Sequence, residues 1–309
     1  MTIVKSVTVA VCSRNRGRAL QRAVESILGS DAVAGIDASI AVDVLVVDNG
    51  STDDTAERMH RLAARDARVR YVHEPVAGIS VARNRALHEA QSDIVIFVDD
   101  DETVCPGFVA AHLDVYTTQP TCSAVGGAMD LYFDDGEPRW VSPALMGLYS
   151  SYPVVEGALH RVATDELLPF GGNLSLRIAD ANACGGFSTT LGRVGKSLIS
   201  GEETALLEAM RASGFEIWVT GAARIRHHIP TERARVMWVL RRSFAQGRTE
   251  QRIAGGAEWS GAVLHLFFGG LRLLLKRKSV NSRVFVEYLV HRVYWAGRLT
   301  EIVHSRRTH

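Results

Sequence analysis

Over its first 118 residues the chain alternates short apolar runs with amphipathic stretches. VTVAVC (7–12) precedes RALQRAVESIL (18–28), DVLVVD (43–48) precedes TAERMHRLAARD (55–66), VRYVH (69–73) precedes ISVARNRALHEA (79–90), and DIVIFVD (93–99) precedes PGFVAAHLDVYT (106–117). Short apolar runs bounded by polar turns read as buried strands, and apolar positions recurring every three to four residues read as helices. Pro106 suits the start of the fourth helix. The rhythm predicts repeated βα units, hence an α/β fold with a mostly parallel central sheet flanked by helices. In such sheets ligands gather beyond the carboxyl ends of the strands, where Cys12, Ser13, Asp48 and Asp99 fall.

Residues 132–168 break the rhythm with YFDDGEPRWVSP and a stretch rich in Gly, Pro and Tyr, read as an irregular insertion that is a candidate cover for the site. PFGGNLSLR (169–177) reads as a turn entering a strand, and SGEETALLEAMRASG (200–214) as a helix stopped by Gly214. The tail then changes character. RVMWVLRRSFAQG, SGAVLHLFFGGLRLLLKRK and SRVFVEYLVHRVYWAGRL read as three apolar, aromatic helices with basic edges, which divides the chain into a domain over 1–230 and a helical extension over 231–309. The middle stretch has an apolar core from Gly261 to Leu275, but His265 and Arg272 interrupt it and it falls short of the roughly 20 residues a spanning helix needs. It suits either a membrane interface or packing within protein.

Charge sharpens that division. Residues 1–230 hold 20 Lys and Arg against 29 Asp and Glu, whereas residues 231–309 hold 15 against 5. A basic tail beside an acidic body points to an anionic surface, such as a membrane, or to attraction between the two parts. With 47% hydrophobic and 22% charged residues in 309, the chain has the composition of a folded protein rather than a disordered one. Cys12, Cys105, Cys122 and Cys184 are widely spaced and form no C-x-x-C pair, so neither a zinc site nor a disulfide framework is indicated. A cytoplasmic location is expected, peripheral to the inner face of the membrane if the tail binds lipid, since Val7 to Cys12 has neither the length nor the flanks of a secretory signal.

The chemistry concentrates in FVDDDE (97–102), where an apolar strand runs straight into Asp99, Asp100 and Asp101. Three like charges at the end of a buried strand need a cation or a ring of donors to offset them. If the chain stays extended, Asp99 and Asp101 share one face, with Asp100 turned away, and make a D-x-D claw of two carboxylates. Hard oxygens of this kind suit Mg2+ or Mn2+, with phosphate oxygens and water completing the shell. A solvated acidic turn before a helix is the competing reading. Two phosphate-binding alternatives fail: the first βα turn, CSRNRGRAL, contains no G-x-G-x-x-G, and GRVGKS (192–197) lacks the leading glycine of a phosphate loop because Thr190 stands there.

The stretches VAVCSRNRGRALQRAVESIL, VLVVDNGSTDDT, GISVARNRAL, IVIFVDDDE, FGGNLSLR, GEETALL and HHIPTERA, in that order over about residues 6–234, resemble the family 2 glycosyltransferases, which have the GT-A fold. The resemblance implies an inverting enzyme that moves a sugar from a nucleotide-diphospho-sugar, most commonly a UDP-sugar, to an acceptor hydroxyl. It implies Ser13, Arg14, Asp48, Arg83 and Asn84 on the nucleotide, and Asp99 with Asp100 beside it on the ribose or sugar. It further implies Gly172 and Asn173 on the sugar pocket, and Asp101 with His228 on a Mg2+ or Mn2+ ion. Family members carry Glu-Asp where this chain has Glu202-Glu203, so the catalytic base falls on Glu203, one methylene longer, with Glu202 beside it.

Simpler roles compete for several of these residues. DNGSTDDT also makes a turn with a helix cap, Arg83 and Arg85 suit an exposed helix face, and Ser200-x-x-Glu203 fits a capping box. The Q-x-x-R-W signature of processive synthases is absent, so a single sugar is expected to be added. The basic, aromatic tail suits a lipid-linked or membrane-associated acceptor in glycan biosynthesis. A non-catalytic nucleotide-sugar binding module and a two-carboxylate glycosidase remain as alternatives. Nucleic acid is not expected as a partner, because the tail's aromatics fall at helical spacing among apolar residues instead of forming an open stacking surface.

Overall fold

The computed structural model describes residues 4–29, 31–37, 39–195, 197–255, 265 and 282–305. They fall into two compact units, one of residues 1–131, 152–190 and 202–228, the other of residues 132–151, 191–201 and 229–309.

The first unit is built as the hydrophobic pattern dictates. Strands β1 (Ser6–Ser13), β2 (Ala41–Asp48), β3 (Val69–His73) and β4 (Ile94–Asp99) alternate with helices α1 (Gly17–Leu28), α2 (Thr55–Ala63), α3 (Ile79–Glu89) and α4 (Phe108–Thr118). β1 pairs in parallel with β2 and β4, and β2 with β3, so Ser13 lies level with Asp48 and Cys12 with Asp99. The register brings the polar ends of three strands to one rim. Parallel strands covered on both faces must be apolar throughout, and β1 and β4 comply: Val7, Val9, Val11, Ile94 and Ile96 are fully buried. Each such side chain contributes about 1.5–3 kcal/mol. α1 lays Leu20, Ala23, Val24 and Ile27, spaced one helical turn apart, onto the core.

Beyond β4 the sheet turns antiparallel. Its order is β3-β2-β1-β4-β8-β6-β9-β5, with β5 (Glu102–Val104), β6 (Cys122–Phe133), β8 (Asn173–Arg177) and β9 (Glu216–Ile229), while β7 (Leu159–Arg161) pairs with β9 off this path. The sheet is therefore mixed, its parallel half being the part that the early rhythm reveals. α6 (Ile178–Ala183) follows β8, and α7 (Glu202–Ala212) is stopped by Gly214 at φ 85°, a left-handed position that suits glycine. α4 begins at Phe108 rather than at Pro106, because Gly107 adopts φ 71° ahead of the first turn.

The second unit contains α5 (Pro143–Met146), α8 (Val236–Ala254) and α9 (Ser282–Ser305). Tyr149 stacks on Trp238 at 5.2 Å between ring centroids. α8 and α9 approach closely where a Cβ on Gly247 would lie 2.0 Å from the Tyr294 carbonyl and one on Gly297 2.1 Å from the Phe244 carbonyl. Glu301 accepts from Arg248 at 2.7 Å and from Arg252 at 2.5 Å, and Gln251 accepts from Arg298, which ties the two helices together. Of the three helices expected in the tail, the first and third are α8 and α9; the middle stretch lies outside the described residues apart from His265. No helix among the described residues is long and apolar enough to cross a membrane.

Candidate active site

β4 ends at Asp99, and Asp100 and Asp101 form a turn before β5 begins at Glu102. The alternation expected of an extended chain therefore stops one residue early. In place of a claw made by Asp99 and Asp101, it is Asp100 and Asp101 that converge: Arg16 Nη1 donates to Asp100 Oδ1 at 2.6 Å and to Asp101 Oδ2 at 2.9 Å. Ser13 Oγ donates to the other Asp100 oxygen at 2.7 Å. Burial, with the neighbouring Asp101 charge adding to it, pushes the Asp100 carboxyl above its ordinary range, while Arg16 and the Ser13 hydroxyl pull the other way. Asp100 in turn is the main reason the Arg16 guanidinium holds its proton more tightly than usual.

Asp99 faces the other way. Arg83 Nη2 donates to its Oδ1 at 3.1 Å, and Nη1 of the same guanidinium donates to Glu202 Oε1 at 2.7 Å. Arg83 is 4% exposed, sandwiched between the rings of Phe97 and Phe187, so it forms no part of an exposed helix face. Its work is to tie the end of β4 to the first turn of α7. Glu202, 4% exposed, is thereby committed to Arg83. Glu203 is half-buried, and its Oε2 has no hydrogen-bond partner among the described residues. The capping box does not form, since the Ser200 N–H donates to Thr249 Oγ1. Of the two glutamates, Glu202 is the one that Arg83 holds in an ion pair.

Several residues expected on the nucleotide and the sugar have local duties. Asp48 is buried, its Oδ1 accepting from the Ser51 N–H at 2.9 Å and its Oδ2 from the Tyr71 hydroxyl at 2.7 Å. Asn84 clips the backbone of Phe187 with two 2.8 Å bonds. Asn173 is fully buried and spends its amide on the carbonyls of Ala128 and Ala223 and on His112, so its side chain does not line an open pocket. Gly172 does face the acidic turn: a Cβ there would lie 2.3 Å from Glu102 Oε1. Glu102 is 1% exposed, burial pushes its carboxyl well above the usual range, and among the described residues Oε1 has no hydrogen-bond partner while Oε2 accepts from the Asp99 N–H. Arg14 stands exposed on the loop after β1 with no bond among the described residues.

The two neighbouring histidines have different partners. β9 pairs antiparallel with β5, setting His227 opposite Glu102, and it is the His227 Nε2 that lies 3.5 Å from Asp101 Oδ1. His228, on the alternate face, places its Nε2 3.1 Å from the Thr103 hydroxyl. Recognising residues 216–229 as a strand would have exposed this parity. Arg16, three residues beyond Ser13 on the same loop, was the other functional candidate missed.

Among the described residues no three His, Cys, Asp or Glu side chains form a ready-made metal cage. A Mg2+ or Mn2+ ion needs only one or two protein ligands beside phosphate oxygens and water, and Asp101 with Asp100 and His227 offers that donor set. The guanidinium between the two aspartates demonstrates that the place accepts a cation. A separate cavity, lined by Val4, Ile36, Ile40, Leu113 and Tyr116, lies by the start of β1, at the opposite end of the strands from the aspartates.

A mixed sheet that presents an acidic turn beside a glutamate pair is the arrangement of the GT-A class of fold. The family model described as "Glycosyl transferase family 2" matches residues 8–171, and the chain belongs to that family. It is 30% identical over 185 residues to the succinoglycan biosynthesis protein ExoM of Rhizobium meliloti, a match covering 59% of this chain and 55% of that relative. The chain thus spans only about half the length of that relative. It is 23% identical over 251 residues to the glucosyl-dolichyl phosphate glucuronosyltransferase of Haloferax volcanii, covering 80% of this chain and 76% of the other. A mannosyltransferase of Pyrobaculum calidifontis, solved in complex with GDP-Man and Mn2+, matches with a TM-score of 0.58 at 17% identity, covering 99% of this chain and 75% of that one. At that identity the likeness speaks for the fold.

Proposed function

We propose that this chain is an inverting glycosyltransferase that moves one sugar from a nucleotide-diphospho-sugar to an acceptor hydroxyl, with Mg2+ or Mn2+ as cofactor. The observation that carries the reading is the pairing of a cation-binding turn, Asp100-Asp101, with a glutamate pair fixed beside it through Arg83 and Glu202. Asp101 and His227 hold the ion, with Asp100 adjacent. When bound, the ion offsets negative charge on the departing diphosphate. Asp99, the most exposed of the three aspartates, is left to hydrogen-bond sugar or ribose hydroxyls. Glu203 accepts the acceptor's proton as its oxygen attacks, and the ion pair that ties Glu202 to Arg83 supports that role over Glu202. Arg14 and the loop after β1 face the nucleotide, and Gly172 leaves the space that Glu102 and the donor share.

The acceptor is proposed to be lipid-linked. The Haloferax relative is named for a glucosyl-dolichyl phosphate, and the basic tail suits a location at the inner face of the membrane. Incubation with UDP-, GDP- and dTDP-sugars, Mn2+ and polyprenyl-phosphate-linked acceptors, read by proton NMR, is expected to yield one linkage of inverted anomeric configuration. A retained configuration, or an unchanged rate in Asp101→Ala, contradicts the reading.

A further inference from the structure

The same guanidinium that neutralises the acidic turn stands in the way of any ion entering it. Arg16 Nη1 bridges Asp100 Oδ1 and Asp101 Oδ2 with one nitrogen at 2.6 and 2.9 Å, and a divalent ion approaching these two carboxylates meets a fixed positive charge within a few ångströms. Asp100 and Asp101 are 7% and 9% exposed, so water screens that conflict poorly. The Arg16 side chain, by contrast, is 38% exposed and is attached to a surface loop, where Asn15 at φ 55° precedes the first turn of α1. Solvent reaches the Arg16 side chain, whereas the aspartates are buried and held by Ser13 and by the β4–β5 turn.

We propose that Arg16 is the resident counter-cation of this turn and hands its carboxylates over to the divalent ion only when a nucleotide diphosphate arrives to take the displaced guanidinium. This rests on the metal-dependent reading above. Before binding one guanidinium faces two carboxylates and leaves one negative charge in excess; afterwards the doubly charged ion offsets both carboxylates while the guanidinium faces diphosphate oxygens, a geometry arginine suits. Metal and nucleotide then bind synergistically, each weak alone. No bond is made or broken in the exchange.

Mn2+ binding is measured on the intact chain by the loss of the free-ion EPR signal, with and without UDP or GDP, for wild type, Arg16→Gln, Arg16→Lys and the exposed control Arg18→Gln. A cation within about 4–6 Å changes a carboxylate's affinity for positive charge by a factor of about 10 or more. Arg16→Gln is therefore expected to bind Mn2+ alone about tenfold more tightly than wild type and to lose most of the gain that nucleotide brings. Arg16→Lys, whose single ammonium still opposes the ion, is expected to stay near wild type for Mn2+ alone, and Arg18→Gln to match wild type throughout. If nucleotide and Mn2+ bind wild type together but Arg16→Gln leaves the affinity for Mn2+ alone unchanged or weaker, the handover is wrong and the metal-dependent reading stands. If Mn2+ binds none of the proteins with any nucleotide, both fall.

Discussion

Arg83 and Glu202 meet at 2.7 Å with each residue 4% exposed, and the other arm of the same guanidinium holds Asp99. One buried cation therefore fixes the end of β4 and the start of α7 with respect to each other, and Glu203, the next residue along α7, inherits its position from that pair. Removing one partner of a buried pair leaves an uncompensated charge and costs about 3–5 kcal/mol. Arg83→Met is expected to lower the urea unfolding free energy by that amount, and Arg83→Lys to recover little, since an ammonium cannot span both carboxylates in the same way. A loss below about 1 kcal/mol would mean the pair is not what holds α7.

The two glutamates separate by experiment. Glu203→Gln is expected to reduce kcat about 10²–10⁴-fold, the usual worth of a general base, with nucleotide affinity and unfolding midpoint unchanged. Glu202→Gln is expected to lower the unfolding midpoint, because a neutral amide replaces the anion opposite Arg83. Steady-state kinetics beside thermal melts tell the two apart; a catalytic loss in Glu202→Gln without loss of stability would reverse the assignment.

The neighbouring histidines provide a second such pair. His227→Ala is expected to weaken Mn2+ binding measured with nucleotide present, and His228→Ala to leave it near wild type, because the His227 ring lies 3.5 Å from Asp101 while the His228 ring bonds the Thr103 hydroxyl. Titration of the Mn2+ EPR signal reads both directly, and the opposite ranking would restore His228 as the ligand.

The sequence made the parallel half of the sheet and the location of the acidic rim legible, since β1 to β4 are apolar runs bounded by turns. It misled where a short turn decided the outcome. Asp100 and Asp101 leave the strand, so alternation paired the wrong aspartates, and β5, only Glu102–Val104, is too short to show periodicity. β9 mixes Arg and His into a strand buried on one face, which hid the parity separating His227 from His228. Arg83 and Asn84 look like polar surface residues in VARNRAL, and only the tertiary contacts reveal that one is a buried ion-pair hub and the other a clip on Phe187.

Beneath the site, His112 is fully buried between Asn173 and Ser175, and burial holds its imidazole down to about 4. The unfolded chain protonates this group near pH 6.5, so its contribution to stability is complete above about pH 6.5 and is lost as the pH falls through about 4. His112→Gln is expected to flatten the dependence of unfolding free energy on pH across that window by up to one proton. Parallel pH profiles for variant and wild type would contradict this.

The central claim is that the Asp100-Asp101 turn binds a divalent ion together with a nucleotide diphosphate. Calorimetric titration of wild type and Asp101→Ala with UDP, GDP and dTDP, with and without Mn2+, tests it most directly. Tight binding of one nucleotide that requires Mn2+ and disappears in Asp101→Ala is the expected result. Binding of no nucleotide, or binding indifferent to both Mn2+ and the substitution, would contradict the claim and leave the aspartates as a turn neutralised by Arg16 alone.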